Sequence, residues 1–199
     1  MGVGWQVPIA CALVCAALAA GCGNDGVPTS SVPKPPAETR DTPPKLPPGW
    51  RRVVNPRAGF SVGIPPAWTA RGAAGTTLVR SSDRALALTI TADRSDDGRE
   101  ADPKHYAARL VRTLPRYRKL QAGLAKQVKR TRYPTASVAA SGVYIPTGVR
   151  QAILLFAISR PHRVMYTILV FRSASTAASR YDRLLSTLVR SFSTSPPQY

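Results

Sequence analysis

Ala136-Ser-Val-Ala-Ala-Ser-Gly-Val-Tyr144, Val149-Arg-Gln-Ala-Ile-Leu-Leu-Phe-Ala-Ile-Ser159 and Arg163-Val-Met-Tyr-Thr-Ile-Leu-Val-Phe-Arg172 decide the fold. Pro146-Thr147-Gly148 and Arg160-Pro161-His162 separate them. The first run alternates through Val138, Ala140, Gly142 and Tyr144, and the third through Val164, Tyr166, Ile168 and Val170. A period of two with Pro-containing turns between runs predicts consecutive antiparallel strands. The middle run is apolar without a break from Ala152 to Phe156, the pattern of a central strand.

Working toward the N-terminus, Phe60, Val62 and Ile64 alternate with small residues, predicting a strand that Pro65-Pro66 ends. Thr77–Ser81 and Ala85–Ala92 predict a hairpin around Ser82-Asp83. Asp102-Pro103 opens a helix, because Asp caps free amides and Pro is tolerated at the first helical position. Tyr106, Leu110 and Leu114 fall on one side of it with Val111 beside them; His105, Arg109 and Arg112 fall opposite, and Pro115 stops it. A further strand is expected over Val128–Tyr133. A closing amphipathic helix runs from Thr176 to Ser191, with Tyr181, Leu184, Leu185 and Leu188 as its stripe and Phe192 after it. The expected class is α+β: an antiparallel sheet packed with an inserted helix and a C-terminal helix. Trp68 is expected to plug the sheet as a core residue, with ligand stacking as the alternative.

The first 49 residues read differently. Val7–Ala20 is uncharged and apolar, shorter than the ~20 residues a spanning helix needs. It matches the apolar core of an export signal, although Met1–Gln6 lacks the usual basic residue. Leu18-Ala-Ala-Gly21 then precedes Cys22 and resembles the bacterial lipobox, which implies removal of residues 1–21 and lipidation of Cys22. An ordinary cleaved signal using Ala17 and Ala19, or an uncleaved anchor, are the alternatives. Cys11 and Cys15 lack small residues at the required positions. Residues 22–49 are Pro-rich with few large apolar side chains, the composition of an extended spacer. Lys34, Arg40 and Lys45 there balance Asp25, Glu38 and Asp41. The domain is drawn over 50–193, with 194–199 as a tail.

Gly59-Phe-Ser-Val-Gly-Ile-Pro-Pro-Ala-Trp68 and the closing Tyr181–Phe192 segment resemble the PsbP-like fold and the Lpq-type lipoproteins of actinobacterial envelopes. The resemblance covers about residues 50–193. It implies a PsbP-like sandwich and a binding or accessory role, and lends no active site.

Catalytic chemistry finds no support. His105 and His162 lie beside no evident nucleophile, and no G-x-S-x-G occurs. No cysteine follows Cys22, which disfavours zinc, and no cofactor is expected. Asp93-x-Ser95-x-Asp97-Gly98 echoes half of a calcium loop, but Lys104 stands where the closing Glu belongs. With Asp96, Glu100 and Asp102 it reads better as a solvated loop leading to a helix cap. Arg71-Gly-Ala-Ala-Gly-Thr-Thr77 lacks the Lys of a phosphate loop and reads as a turn.

Charge is the remaining signal. The chain carries 28 basic against 10 acidic residues, a net +18 that favours polyanionic partners. Between Asp102 and Asp182 there is no acid. Arg109, Arg112, Arg116, Arg118, Lys119, Lys126, Lys129, Arg130 and Arg132 fall within that stretch as candidate anion-binding residues. Three readings compete: a solvated face shaped by an Arg-rich composition, contact with anionic lipid or wall polymer, and nucleic-acid binding. An exported protein seldom meets nucleic acid, and Tyr117 and Tyr133 are too few aromatics for a stacking platform. The expectation is a lipid-anchored domain on the outer face of the membrane, without catalysis, whose partners are anionic envelope components or another envelope protein. A carrier of a small or lipidic molecule between sheet and helix is the alternative.

Overall fold

Among the described residues, two antiparallel sheets and two helices follow from Arg51 onward. The strands are β1 (Arg51–Asn55), β2 (Phe60–Ile64), β3 (Thr69–Ala73), β4 (Thr76–Arg80) and β5 (Leu86–Asp93). Helix α1 (Pro103–Arg112) precedes β6 (Tyr117–Ala122), β7 (Lys126–Gln127), β8 (Thr135–Tyr144), β9 (Arg150–Arg160) and β10 (Val164–Ser173). Helix α2 (Ser179–Arg190) and the short β11 (Ser193–Thr194) close the chain. This computed structural model describes residues 42–73, 75–95, 102–160, 164–176 and 179–194. All of them belong to the compact unit Glu38–Tyr199.

The large sheet runs β3-β4-β5-β10-β9-β8-β6, with β7 also paired to β8. The small sheet is β1-β2-β11. The three apolar runs quoted first form the meander β8-β9-β10 at its centre, in a register that aligns Ser137, Phe156 and Ile168. The continuous apolar run in β9 has a direct cause: both faces of the strand are covered. Ile153, Leu155 and Ala157 pack with Tyr106, Ala107 and Val111 of α1. Leu154, Phe156 and Ile158 face the other way, toward α2 and the small sheet. The fold is therefore α+β, with one helix on each face of the large sheet.

On the second face an aromatic cluster joins the two sheets. Phe192 stacks on Phe60 at 5.7 Å between ring centroids and meets Tyr166 edge-on at 5.1 Å. Such pairs contribute about 0.5–1.5 kcal/mol each beyond the area they bury. Trp68 is buried in the same core, as expected.

Helix α1 is capped as its sequence requires. The Asp102 carboxylate accepts from the Lys104 and His105 amides at 3.0 and 3.3 Å. The helix ends at Arg112, with Thr113 as its cap.

Two local expectations need correction. Val128–Tyr133 is not a strand: the strand is Lys126–Gln127, and the chain then turns. The Val128 amide donates to the Thr135 carbonyl at 2.8 Å, closing a hairpin, and Arg130 takes a left-handed φ of 60°. The Thr131 hydroxyl lies 2.9 Å from the Tyr133 carbonyl and holds the bend. Arg71–Thr77 is likewise not one turn, because Arg71–Ala73 belongs to β3 and pairs with Thr76–Leu78 of β4.

Residues 42–50 form a strap across the small sheet. The Trp50 amide donates to the Pro47 carbonyl at 3.1 Å, and Arg52 donates to the carbonyl of Pro44, to Ser61 and to the Ser191 carbonyl. A Cβ on Gly63 would lie 2.4 Å from the Leu46 side chain and 3.0 Å from the Ser191 hydroxyl. Only glycine lets the strap approach so closely, and this is why all of β2 is buried rather than every second residue.

Candidate anion-binding surfaces

The nine basic residues singled out in the sequence are all exposed. Arg109 and Arg112 project from α1, and the Arg109 guanidinium sits 5.9 Å from the Tyr106 ring. Arg116 lies in the turn before β6, and Arg118 and Lys119 are on β6 at the end of the large sheet. Lys126 is on β7, while Lys129, Arg130 and Arg132 occupy the turn before β8.

The outer edge of β8 organises the β6 and β7 residues. Arg118 pairs with Val143 and Lys126 with Ser137, so charge is strung along one strand for about 20 Å at ~3.4 Å per residue. Arg116 and Lys119 adopt φ values of 67° and 55°, and the register shifts between Arg118 and Gln121. Charge and a bulge on an edge strand block the addition of another strand. The same strip attracts anions, but as an open edge rather than a pocket.

At one end of this strip the N-terminal strap arrives. Arg132 donates to the Thr42 carbonyl at 2.6 Å, so the first described residue lies at the turn that carries Lys129, Arg130 and Arg132.

A second basic cluster was not visible in the sequence. Arg51, Arg71 and Arg80 line an open cleft of about 430 Å³ together with Thr69, Ala70 and Leu78. The Arg51 guanidinium is held by the Trp68 carbonyl at 2.9 Å. Next to it, Arg80 and Arg84 line a second cleft of about 500 Å³ with Ser81 and Ser82. Arg71 and Arg80 share a sheet face because Thr69 pairs with Arg80 and Arg71 with Leu78. Only this register brings them together; nothing in their spacing announces it.

A third feature lies between α2 and the large sheet. Ala139, Leu154, Val170, Tyr181 and Leu185 line a mostly apolar cleft of about 250 Å³ with Arg172 and Asp182 at its edge. That is smaller than the roughly 300–1,000 Å³ usual for ligand sites.

Among the described acids, Asp83, Asp93 and Asp102 accept hydrogen bonds that hold local structure. Burial works against charge on Asp93, yet hydrogen bonds from Ser95 and Tyr106, with Arg109 nearby, hold its carboxyl below the usual range. The Tyr106 hydroxyl donates to it at 2.6 Å, tying α1 to the end of β5. Asp93 thus serves helix attachment. Among the described residues no group of three His, Cys, Asp or Glu side chains could hold a metal. No helix among them is long and apolar enough to cross a membrane. Cys11, Cys15, Cys22, Asp96, Asp97, Glu100 and His162 lie outside the described residues.

No protein-family model matches the sequence, and no curated protein matches it. Solved structures do match, and they define the class: a PsbP-like α+β fold. PsbP (CyanoP) of Synechocystis sp. PCC 6803 is similar over 73% of this chain and 92% of its own, with 13% identity and a TM-score of 0.53. The Ran-binding protein Mog1p of Saccharomyces cerevisiae is similar over 73% of this chain and 95% of its own, with 12% identity and a TM-score of 0.52. A Bacteroides thetaiotaomicron protein also matches over 73% of this chain at 13% identity and TM-score 0.53; this chain spans about half, 48%, of its length. LpqN of Mycobacterium tuberculosis, described as involved in cell envelope biogenesis, is a more distant neighbour over 74% of this chain and 92% of its own, at 11% identity and TM-score 0.46. At such identities the likeness establishes the fold.

Proposed function

We propose that the chain is a lipid-anchored, extracytoplasmic binding or accessory domain, without catalysis, that meets anionic envelope components through its β6–β7 edge. The observation that carries this reading is the 2.6 Å bond from Arg132 to the Thr42 carbonyl. If Cys22 is the anchor, the tether arrives at the corner that carries Lys129, Arg130 and Arg132. Basic residues close to an anionic bilayer contribute about 1 kcal/mol each, and salt screens them. The PsbP-like scaffold is compatible with such a role.

The test uses residues 23–199, which keep every described residue and omit the lipid. Vesicles with and without phosphatidylglycerol are compared across a salt series. Expected is binding that needs the anionic lipid, weakens with salt and drops at least tenfold when Lys129, Arg130 and Arg132 become Gln. Equal, salt-insensitive binding to both vesicle types would end the proposal. Membrane fractionation of Cys22→Ala in cells tests the anchor separately.

The 250 Å³ apolar cleft beside α2 favours a second reading, a carrier of a small ligand. Leu185→Trp would fill it and abolish uptake of an apolar probe if that reading holds.

A further inference from the structure

We propose that Arg51, Arg71 and Arg80 form a separate binding site for the phosphoryl group of a soluble phosphodiester polymer. Three arginines from two sheets line one cleft, and among the described residues no carboxylate lines it. Asp83, the acid nearest in sequence to Arg80 and Arg84, is engaged elsewhere, by Tyr181 at 2.5 Å and Arg180 at 3.2 Å. Edge protection explains Arg71 on the outermost strand β3, but not Arg80 on the next strand in. Arg51 also lies on an outermost strand, β1 of the small sheet, but its guanidinium donates to the Trp68 carbonyl at 2.9 Å and is fixed beside the cleft.

Guanidinium forks match phosphoryl oxygens bidentately, and a tetrahedral oxyanion offers oxygens to more than one of them. Diagonal cross-strand neighbours such as Arg71 and Arg80 stand about 7–8 Å apart at their backbones, close enough to share one anion. The volume of about 430 Å³ has room for the group and its attached glycerol or sugar. The adjoining cleft, with Arg84 and the Ser81–Ser82 pair, continues the surface for the next unit of a chain.

Position separates a polymer from a bilayer as the source of the phosphoryl group. β3 and β6 are six inter-strand spacings apart, roughly 29 Å at ~4.8 Å each. The separation is across the sheet rather than along the strands: followed through β5, β10 and β9, Arg80 is level with Ala140 in the middle of β8 and Arg71 with Val138. A membrane against the β6–β7 edge leaves the cleft at the far side of the large sheet's width. The cleft itself stands independently of the anchor.

The experiment uses residues 23–199, with far-UV circular dichroism confirming that each variant is folded. Inorganic phosphate is titrated at constant ionic strength against chloride, followed by the arginine side-chain NMR signals. Soluble poly(glycerol phosphate) and phosphatidylglycerol vesicles are then bound in parallel. Saturable phosphate binding is expected, weakened at least tenfold by Arg71→Gln with Arg80→Gln and unchanged by the same loss of charge on α2, Arg183→Gln with Arg190→Gln. Polymer binding should fall with the first pair while vesicle binding persists. Phosphate binding that does not saturate, or that ignores the first pair, would overturn the site. Loss of vesicle binding with polymer binding intact would overturn the polymer as its source.

Discussion

The hydroxyl of Tyr181, at the start of α2, donates to the Asp83 carboxylate across 2.5 Å and fastens the closing helix to the β4–β5 turn. Asp83 also accepts from the Ser81 hydroxyl at 2.6 Å and the Ala85 amide at 3.1 Å. Led by the Ser81 bond, these partners hold its carboxyl down to about 2. An unfolded Asp titrates near 3.9, so the folded state keeps the charge to lower pH. The contribution is complete above the unfolded value and is lost as pH falls through about 2. Thermal melts of wild type and Asp83→Asn should differ most above roughly pH 5 and converge between about 4 and 2. A gap that stays constant down to the acid end would mean that shape, not charge, is responsible.

Tyr117 behaves oppositely. Burial, helped by Tyr144, pushes its phenol up to about 12. Its hydroxyl donates to the Gln151 side-chain oxygen at 2.6 Å, and its ring stacks on Phe171 at 5.9 Å. A raised phenol favours the folded state below the unfolded value near 10, and that benefit disappears as pH climbs through about 12. Ultraviolet titration should therefore lose a late-ionising tyrosine when Tyr117 becomes Phe. An unchanged titration curve would contradict the assignment.

Gly63 tests the strap. Gly63→Ala drives a methyl into Leu46 and Ser191, and overpacking of this kind costs about 1–3 kcal/mol. The Leu46 side chain is the closest neighbour, so Leu46→Ala in the same chain should recover part of the loss. Denaturant unfolding of the two single variants and the double reads the coupling. Strict additivity would show that the strap is not what confines Gly63.

The parts of the fold legible in the sequence are those where one periodicity covers a whole element. β8, β9 and β10 each carry it between Pro-containing turns, and Asp102-Pro103 marks α1. β6 hid itself for a specific reason. Tyr117 and Leu120 are three residues apart, yet both lie against Gly142, whose added Cβ would meet Leu120 at 2.8 Å and Tyr117 at 3.3 Å. The register shift after Arg118 turns an odd spacing into a shared face, which a period-two reading cannot find. β1 and β11 gain their place from β2 and from Phe192, not from their own pattern. The basic strip was readable because its residues are neighbours in the chain. Arg51, Arg71 and Arg80 are not, and strand pairing alone assembles them.

The strap carries a mechanical consequence. Any pull applied at Thr42 loads the Arg132 and Arg52 bonds and the Leu46–Gly63 contact before it runs along the backbone into β1. These yield one after another, so the strap peels like tape and shields the large sheet from tension.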